Sequence, residues 1–290
     1  MTMTTLLIVS DFVAGANPAL NFATLLAQAL GAKLLLLHVH DDAAQKAEPS
    51  SAQLPAFTSA TQALQDLART LPVPAVGEVE AGQMEDVLPV AISRHRPSLI
   101  VLTRPSAATA ADVLVTTTAL NVLRSHACGL LIVPAEAPQA KLPQRVLLAA
   151  DGGKFTLGPC VDSIRALLLA MQAQLIVGHV TESATQHTTP QALASVVRTG
   201  LTLDLPAVTT THVCHAEPTA GVLQAAVEQR ADLLAVMARP HTLLWSLFRQ
   251  TVTAQLVLRS AVPVLVLPAQ PQPTSSGSQA SARRTTSAVH

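Results

Sequence analysis

The chain has 290 residues, room for two domains of ordinary size, and its 49% hydrophobic content can fill a core in each. Eighteen Lys+Arg balance 18 Asp+Glu and aromatic residues make up 2%, which argues against nucleic-acid binding by either charge or base stacking. No apolar stretch is long enough to span a bilayer, no basic-then-apolar leader opens the chain, and Cys128, Cys160 and Cys214 are too few and too irregular for a disulfide framework, so a cytoplasmic setting is expected.

In chain order, residues 5–10 form a short apolar run that reads as a buried strand. Asn17-Pro18 then suits a helix start, Asn as N-cap and Pro in the first turn. Leu20, Ala23, Ala27 and Leu30 share one helix face, and Gly31 suits the C-cap. Lys33 to Val39 is apolar at nearly every position, as expected of a strand covered on both faces of a parallel sheet. A helix over 59–70, a weaker strand over 75–80, a helix over 84–94 and a strand over 98–102 follow. Pro89 sits awkwardly inside the third of these segments. A last helix over 112–125 leads to a fifth strand, Leu130–Val133.

The same series then starts again. Leu6-Leu7-Ile8-Val9-Ser10-Asp11 returns as Val146-Leu147-Leu148-Ala149-Ala150-Asp151, and Leu36-Leu37-His38-Val39 as Val177-Gly178-His179-Val180. Val122-Leu123-Arg124-Ser125 returns unchanged at Val257-Leu258-Arg259-Ser260. The offset drifts only from 141 (180 − 39) to 134 (269 − 135), the mark of a duplication with small insertions. In the second copy Gly158-Pro159 opens the first helix, with Val161, Ile164, Leu168 and Met171 on one face. Strands are expected over 174–180, 209–215, 232–237 and 264–267, and helices over 191–202, 218–229 and 252–260. Each half therefore alternates strand and helix, giving two α/β/α domains with parallel sheets, residues 1–138 and 139–270. Residues 271–290, rich in Gln, Pro, Ser, Thr and Ala, read as a disordered tail.

The strand–Asp–turn–helix opening, the Leu-Leu-His-Val second strand and the closing Val-Leu-Arg-Ser…Pro-Val-Leu-Val-Leu-Pro resemble the universal stress protein family, twice over. The resemblance covers residues 4–135 and 144–269. It implies a Rossmann-like fold of the adenine nucleotide alpha hydrolase type, with a five-stranded parallel sheet of order 3-2-1-4-5 in each half. It also implies a stress-response role.

ATP-binding members are similar in carrying G-x2-G-x9-G-[S/T] after the fourth strand, a glycine loop whose N–H groups approach phosphate closely. Here those glycine positions fall on Met237, Pro240 and Gln250, with Thr251 at the hydroxyl position. In the first half they fall near Thr103, Ser106 and Thr116, with Thr117. No glycine lies between Gly82 and Gly129 or between Gly221 and Gly277, so no shift of register restores the motif. Each lost charge-assisted bond is worth roughly 1.5–3 kcal/mol, and several together should abolish micromolar affinity. The expectation is a non-enzymatic protein without cofactor, acting through protein contacts or a small ligand. The alternatives are an adenine-nucleotide switch binding ATP or AMP in an atypical cleft, and, by fold analogy alone, a nucleotide-dependent enzyme.

The candidate cleft comprises Asp11, Val39, Asp151, Val180, Arg239 and Thr251. Both aspartates have a plainer reading as turn caps after a strand. Arg104-Pro105 and Arg239-Pro240 follow the fourth strands, where an arginine could hold an anion or simply be a solvated edge residue. His38-x-His40-Asp41-Asp42 and His212-x-Cys214-His215 lack metal-ligand spacing and do not repeat, so no metal is expected. Leu243, Leu244, Trp245, Leu247 and Phe248 form an apolar stretch peculiar to the second half, expected to pack inside or between domains. Two apolar fifth strands, Leu130–Val133 and Val264–Leu267, would leave exposed sheet edges, so they are expected to pair with each other in a pseudo-dimer. Homodimerisation of whole chains is left open.

Overall fold

The structure, a computed structural model, describes residues 3–9, 17–40, 53–104, 128–137, 141–183, 188–238 and 251–271. The strands are β1 (Thr5–Val9), β2 (Lys33–His40), β3 (Ala75–Ala81), β4 (Leu99–Arg104), β5 (Gly129–Pro134), β6 (Arg145–Ala149), β7 (Phe155–Thr156), β8 (Gln174–Thr181), β9 (Val208–Cys214), β10 (Leu233–Ala238), β11 (Val264–Pro268) and β12 (Gln270–Pro271). The helices are α1 (Pro18–Leu30), α2 (Gln53–Thr70), α3 (Met84–His95), α4 (Cys160–Met171), α5 (Thr189–Val197), α6 (Pro218–Glu228) and α7 (Val252–Arg259). The helix expected over 112–125 lies outside the described residues, as do 272–290 and the Trp245–Phe248 stretch.

Ten strands form one sheet of order β3-β2-β1-β4-β5-β11-β10-β6-β8-β9. Read within each half, that is 3-2-1-4-5 twice, with every pairing of this sheet inside a half parallel. The halves meet at β5 and β11, antiparallel, with Val264 opposite Ile132, Leu265 opposite Leu131 and Val266 opposite Leu130.

The unbroken apolar runs follow from burial on both sides. Leu6 and Ile8 face a core under α1, α2, α4 and α5, whereas Leu7 and Val9 face a second core under α3, α6 and α7. Both faces of each strand lose water, so no polar alternation survives. The α1 boundaries are set by local chemistry: Asn17 Oδ1 accepts from Leu20 N at 3.1 Å, and Gly31 takes the left-handed conformation (φ 61°) that closes the helix. Pro89 does lie within a helix, held by the buried Leu88, Ala91 and Ile92 against the sheet. Tertiary burial outweighs the local cost of the proline there.

Two features depart from expectation. Phe155–Thr156 pairs antiparallel with Gln270–Pro271, so Pro271, the first residue of the expected tail, belongs to a strand. Arg104 is half-buried and tied within the chain rather than a solvated edge residue. Its guanidinium donates to Val257 O (2.5 Å) and Ser260 O (2.9 Å), carbonyls at the end of α7 in the other half. A cation at a helix C-terminus satisfies orphan carbonyls and opposes the dipole.

Candidate functional site

At the carboxyl ends of β6, β8 and β10 the second half opens a cleft of about 520 Å³. Strand β6 has β10 on one side and β8 on the other, so the cleft sits where the strand order reverses, the usual ligand position in such sheets. Ala149, Ala150 and Asp151 form its floor, with Gly178 and Val180 beside them and Val236 and Met237 opposite. Pro218 and Val222 of α6 and Thr251, Val252, Thr253 and Leu256 from the start of α7 complete the wall.

Local bonds hold this wall. Thr251 caps α7, its hydroxyl accepting from Ala254 N at 3.2 Å. The Thr253 hydroxyl donates to Met237 O at 3.4 Å, and Thr219 donates to Gln255 Oε1 at 3.1 Å, tying α6 to α7. Asp151 Oδ1 accepts from Gly153 N at 3.0 Å, a turn-capping bond. Under the floor, the buried His179 bridges Ala150 O (2.7 Å) and Thr188 Oγ1 (2.5 Å). A carbonyl only accepts, so Nδ1 carries the proton and Nε2 accepts from the threonine. Gly221 is required by close approach: a β carbon there would lie 2.6 Å from Val180 Cγ1.

Of the expected site residues, Asp151, Val180 and Thr251 come together here. Val39 occupies the equivalent strand position in the first half, partly buried against the core under α3. Asp11 and Arg239 lie outside the described residues. Met237, the first of the substituted glycine positions, lines the cleft; Pro240 and Gln250 are not described. In the first half Thr103 donates to Asn17 Oδ1 at 3.2 Å, fastening the start of α1 to the end of β4. Val222, Val236 and Leu256 were not singled out from sequence, because a cleft-lining aliphatic has the same helix or strand pattern as a core one. Gly178 carried a usable signal: it replaces Leu37 of the first copy in a buried strand, and a β carbon there would lie 2.9 Å from Leu147 Cδ1.

The cleft is therefore mostly apolar, with Thr251 and Thr253 in its lining, and among its described lining residues the one formal charge is the carboxylate of Asp151. Among the described residues no group of three or more His, Cys, Asp or Glu is placed to hold a metal ion. His212 Nε2 instead donates to the Thr181 hydroxyl at 2.7 Å, which passes its own proton to Ser183 O. No helix among the described residues is long and apolar enough to cross a membrane.

The fold is shared with solved proteins of similar length. A universal stress protein from Archaeoglobus fulgidus DSM 4304 superposes with a TM-score of 0.64 at 15% identity, over 91% of this chain and 96% of that one. A putative universal stress protein from Pseudomonas aeruginosa UCBPP-PA14 gives 0.56 at 16% identity, over 92% and 94%. A functionally unknown protein from Pseudomonas aeruginosa PAO1 gives 0.56 at 15%, over 93% of each chain. No curated protein matches the sequence. The model of the universal stress protein family matches residues 3–134 and again 143–268, nearly the whole described chain, and with two such matches in tandem the chain belongs to the universal stress protein family.

Proposed function

We propose that the protein is a non-enzymatic, cytoplasmic stress-response factor that does not retain ATP and acts through protein contacts or a small ligand without a polyphosphate. One observation carries this reading. Met237 stands at the edge of the cleft where a phosphate loop would have its first glycine, and the described lining offers the Asp151 carboxylate, two threonines and apolar groups but no cation. A triphosphate entering that space would find no fixed cation among the described lining to replace its hydration, and the exposed Asp151 carboxylate adds like charge. Asp151 also has turn work to do, and Thr251 caps its own helix.

A second reading, an adenine-nucleotide switch, is favoured by the convergence of Asp151, Val180 and Thr251 on one cleft at the strand-order reversal. The two separate cleanly. Protein purified without added nucleotide is heat-denatured and the supernatant resolved by ion-pair chromatography. The first reading expects no adenine nucleotide above a small fraction of the protein concentration. A stoichiometric amount of ATP, ADP or AMP would establish the second.

A further inference from the structure

Among the described residues the sheet ends on two strands with a single neighbour each, β3 and β9. Their chemistry differs. Strand β3 carries Glu78 and Glu80, which face α3: Arg94 Nη1 lies 2.8 Å from Glu80 Oε1, and His95 Nε2 lies 3.0 Å from Glu78 Oε2. A second β3 laid antiparallel about Val79 would set Glu78 against Glu80, like charge on like charge. Strand β9 reads Val208-Thr209-Thr210-Thr211-His212-Val213-Cys214, with no acidic residue, Lys, Arg, Gly or Pro. Thr209, Thr210, His212 and Cys214 are exposed. A seven-residue, uncharged, largely β-branched strand carries in its own sequence none of the charges, prolines or bulge glycines that keep edges apart.

Its outward hydrogen-bonding groups follow from the ladder. Leu175 N donates to Ala207 O and His215 N donates to Thr181 O, both at 2.9 Å, at the two ends of a register running Leu175↔Val208 to Thr181↔Cys214. Odd-numbered residues of β9 therefore turn N–H and C=O toward β8. Val208, Thr210, His212 and Cys214 turn theirs toward the open side.

We infer that β9 is a homodimerisation edge, pairing antiparallel with β9 of a second copy about a two-fold axis through Thr211. In that register Thr210 meets His212 of the second copy and Val208 meets Cys214, each as a hydrogen-bonded pair. All four outward residues on both copies are used, about eight bonds in all. Moving the axis to residue 210 leaves Cys214 without a strand partner, and moving it to 212 leaves Val208 without one. No like-charged side chains are brought together. Three of the eight large hydrophobics exposed among the described residues flank this edge in sequence: Val197 and Leu203 just before β9, and Val227 near the end of the helix that follows it. A second copy fits this edge in full, because the pairing uses every outward group of the strand and opposes no like charges, unlike β3. The molecule already closes its other apolar edges this way, one repeat against the other at β5 and β11.

The test is light scattering on the full chain at about 50 μM, a concentration that populates a dimer of micromolar Kd. The wild type should run near twice 30.2 kDa. Thr210→Pro removes an outward N–H and no bond to β8, so it should keep the circular dichroism of the wild type and run as a monomer. Thr211→Cys in a Cys214→Ser background should form an intermolecular disulfide on mild oxidation, since the paired Cα atoms would lie about 4.5 Å apart. Val76→Cys, on the opposite edge and 54% exposed, should not. If Thr210→Pro does not fold, the cross-link alone decides. A monomeric wild type overturns the inference, even one whose β9 takes up an extended peptide from another protein. So does a dimer that Thr210→Pro leaves intact and Thr211→Cys does not cross-link.

Discussion

Arg104→Ala removes two charge-assisted hydrogen bonds that join the halves, from the end of β4 to the last turn of α7. Bonds of this type contribute roughly 1.5–3 kcal/mol each, and the two are not additive because one guanidinium makes both. Burial holds the Arg104 pKa below its ordinary value, partly offset by the Glu136 carboxylate, so deleting the side chain also returns some desolvation energy. Against that, Val257 and Ser260 are each 1% exposed, and their carbonyls lose partners in a place water reaches poorly. The balance is a loss of about 3 kcal/mol, and about half that for Arg104→Lys, which cannot reach both carbonyls in one planar fork. The assay is urea unfolding followed by far-UV circular dichroism at low salt and again in 0.5 M NaCl, a concentration at which the Debye length falls to about 4 Å. Carbonyl acceptors carry no net charge, so the loss should persist in salt. A change below about 0.5 kcal/mol, the range of an ordinary surface substitution, would refute the strut assignment.

Other consequences follow from single sites. Gly221→Ala gains about 1 kcal/mol of helix propensity but drives a methyl into the stiff Val180, an overpacking that costs roughly 1–3 kcal/mol, so thermal stability should fall slightly or hold rather than rise. Burial pushes the Cys128 thiol up to about 12, with Cys160 nearby adding to it, and burial pushes Cys160 to about 11. A thiol-disulfide reagent at pH 8 should therefore label Cys214 alone in the native chain and all three cysteines in denaturant. Desolvation raises the Asp232 carboxyl, but the Lys141 ammonium 2.6 Å away and the N–H groups of Gln144 and Arg145 more than reverse it, leaving a net depression below 3.8. Its stabilisation is thus present above pH 4 and lost as pH falls through the depressed value. Asp232→Asn should remove stability at pH 7 and flatten the acid limb of a stability-versus-pH curve.

The strands and helix ends were legible because their causes are local. Apolar runs such as Leu34–Leu37 report two-sided burial, and Asn17-Pro18 with Gly31 marks a helix by its own capping chemistry. Helix α2 begins at Gln53, earlier than its apolar period suggested, and boundaries of this kind shift because helix ends carry few periodic residues. The pairing of Phe155 with Pro271 could not be read, since two residues make no pattern and the partner is far along the chain. The partners of Arg104 were hidden for the same reason, 153 and 156 residues away. In the cleft, the replaced glycine at Met237 was visible from register alone. The contributions of Val222 and Leu256 were not, because side chains that face a cavity and side chains that face a core obey one periodicity.

The central claim is that the second-half cleft, with Met237 in place of glycine and Asp151 as its described charge, does not hold a nucleoside triphosphate. Isothermal titration of the full chain with ATP, with and without magnesium, tests it most directly. The account predicts no saturable heat at ligand concentrations up to about 1 mM, a binding free energy weaker than about −4 kcal/mol. A saturating isotherm with micromolar Kd and a stoichiometry of one per chain, abolished by Asp151→Ala, would contradict it.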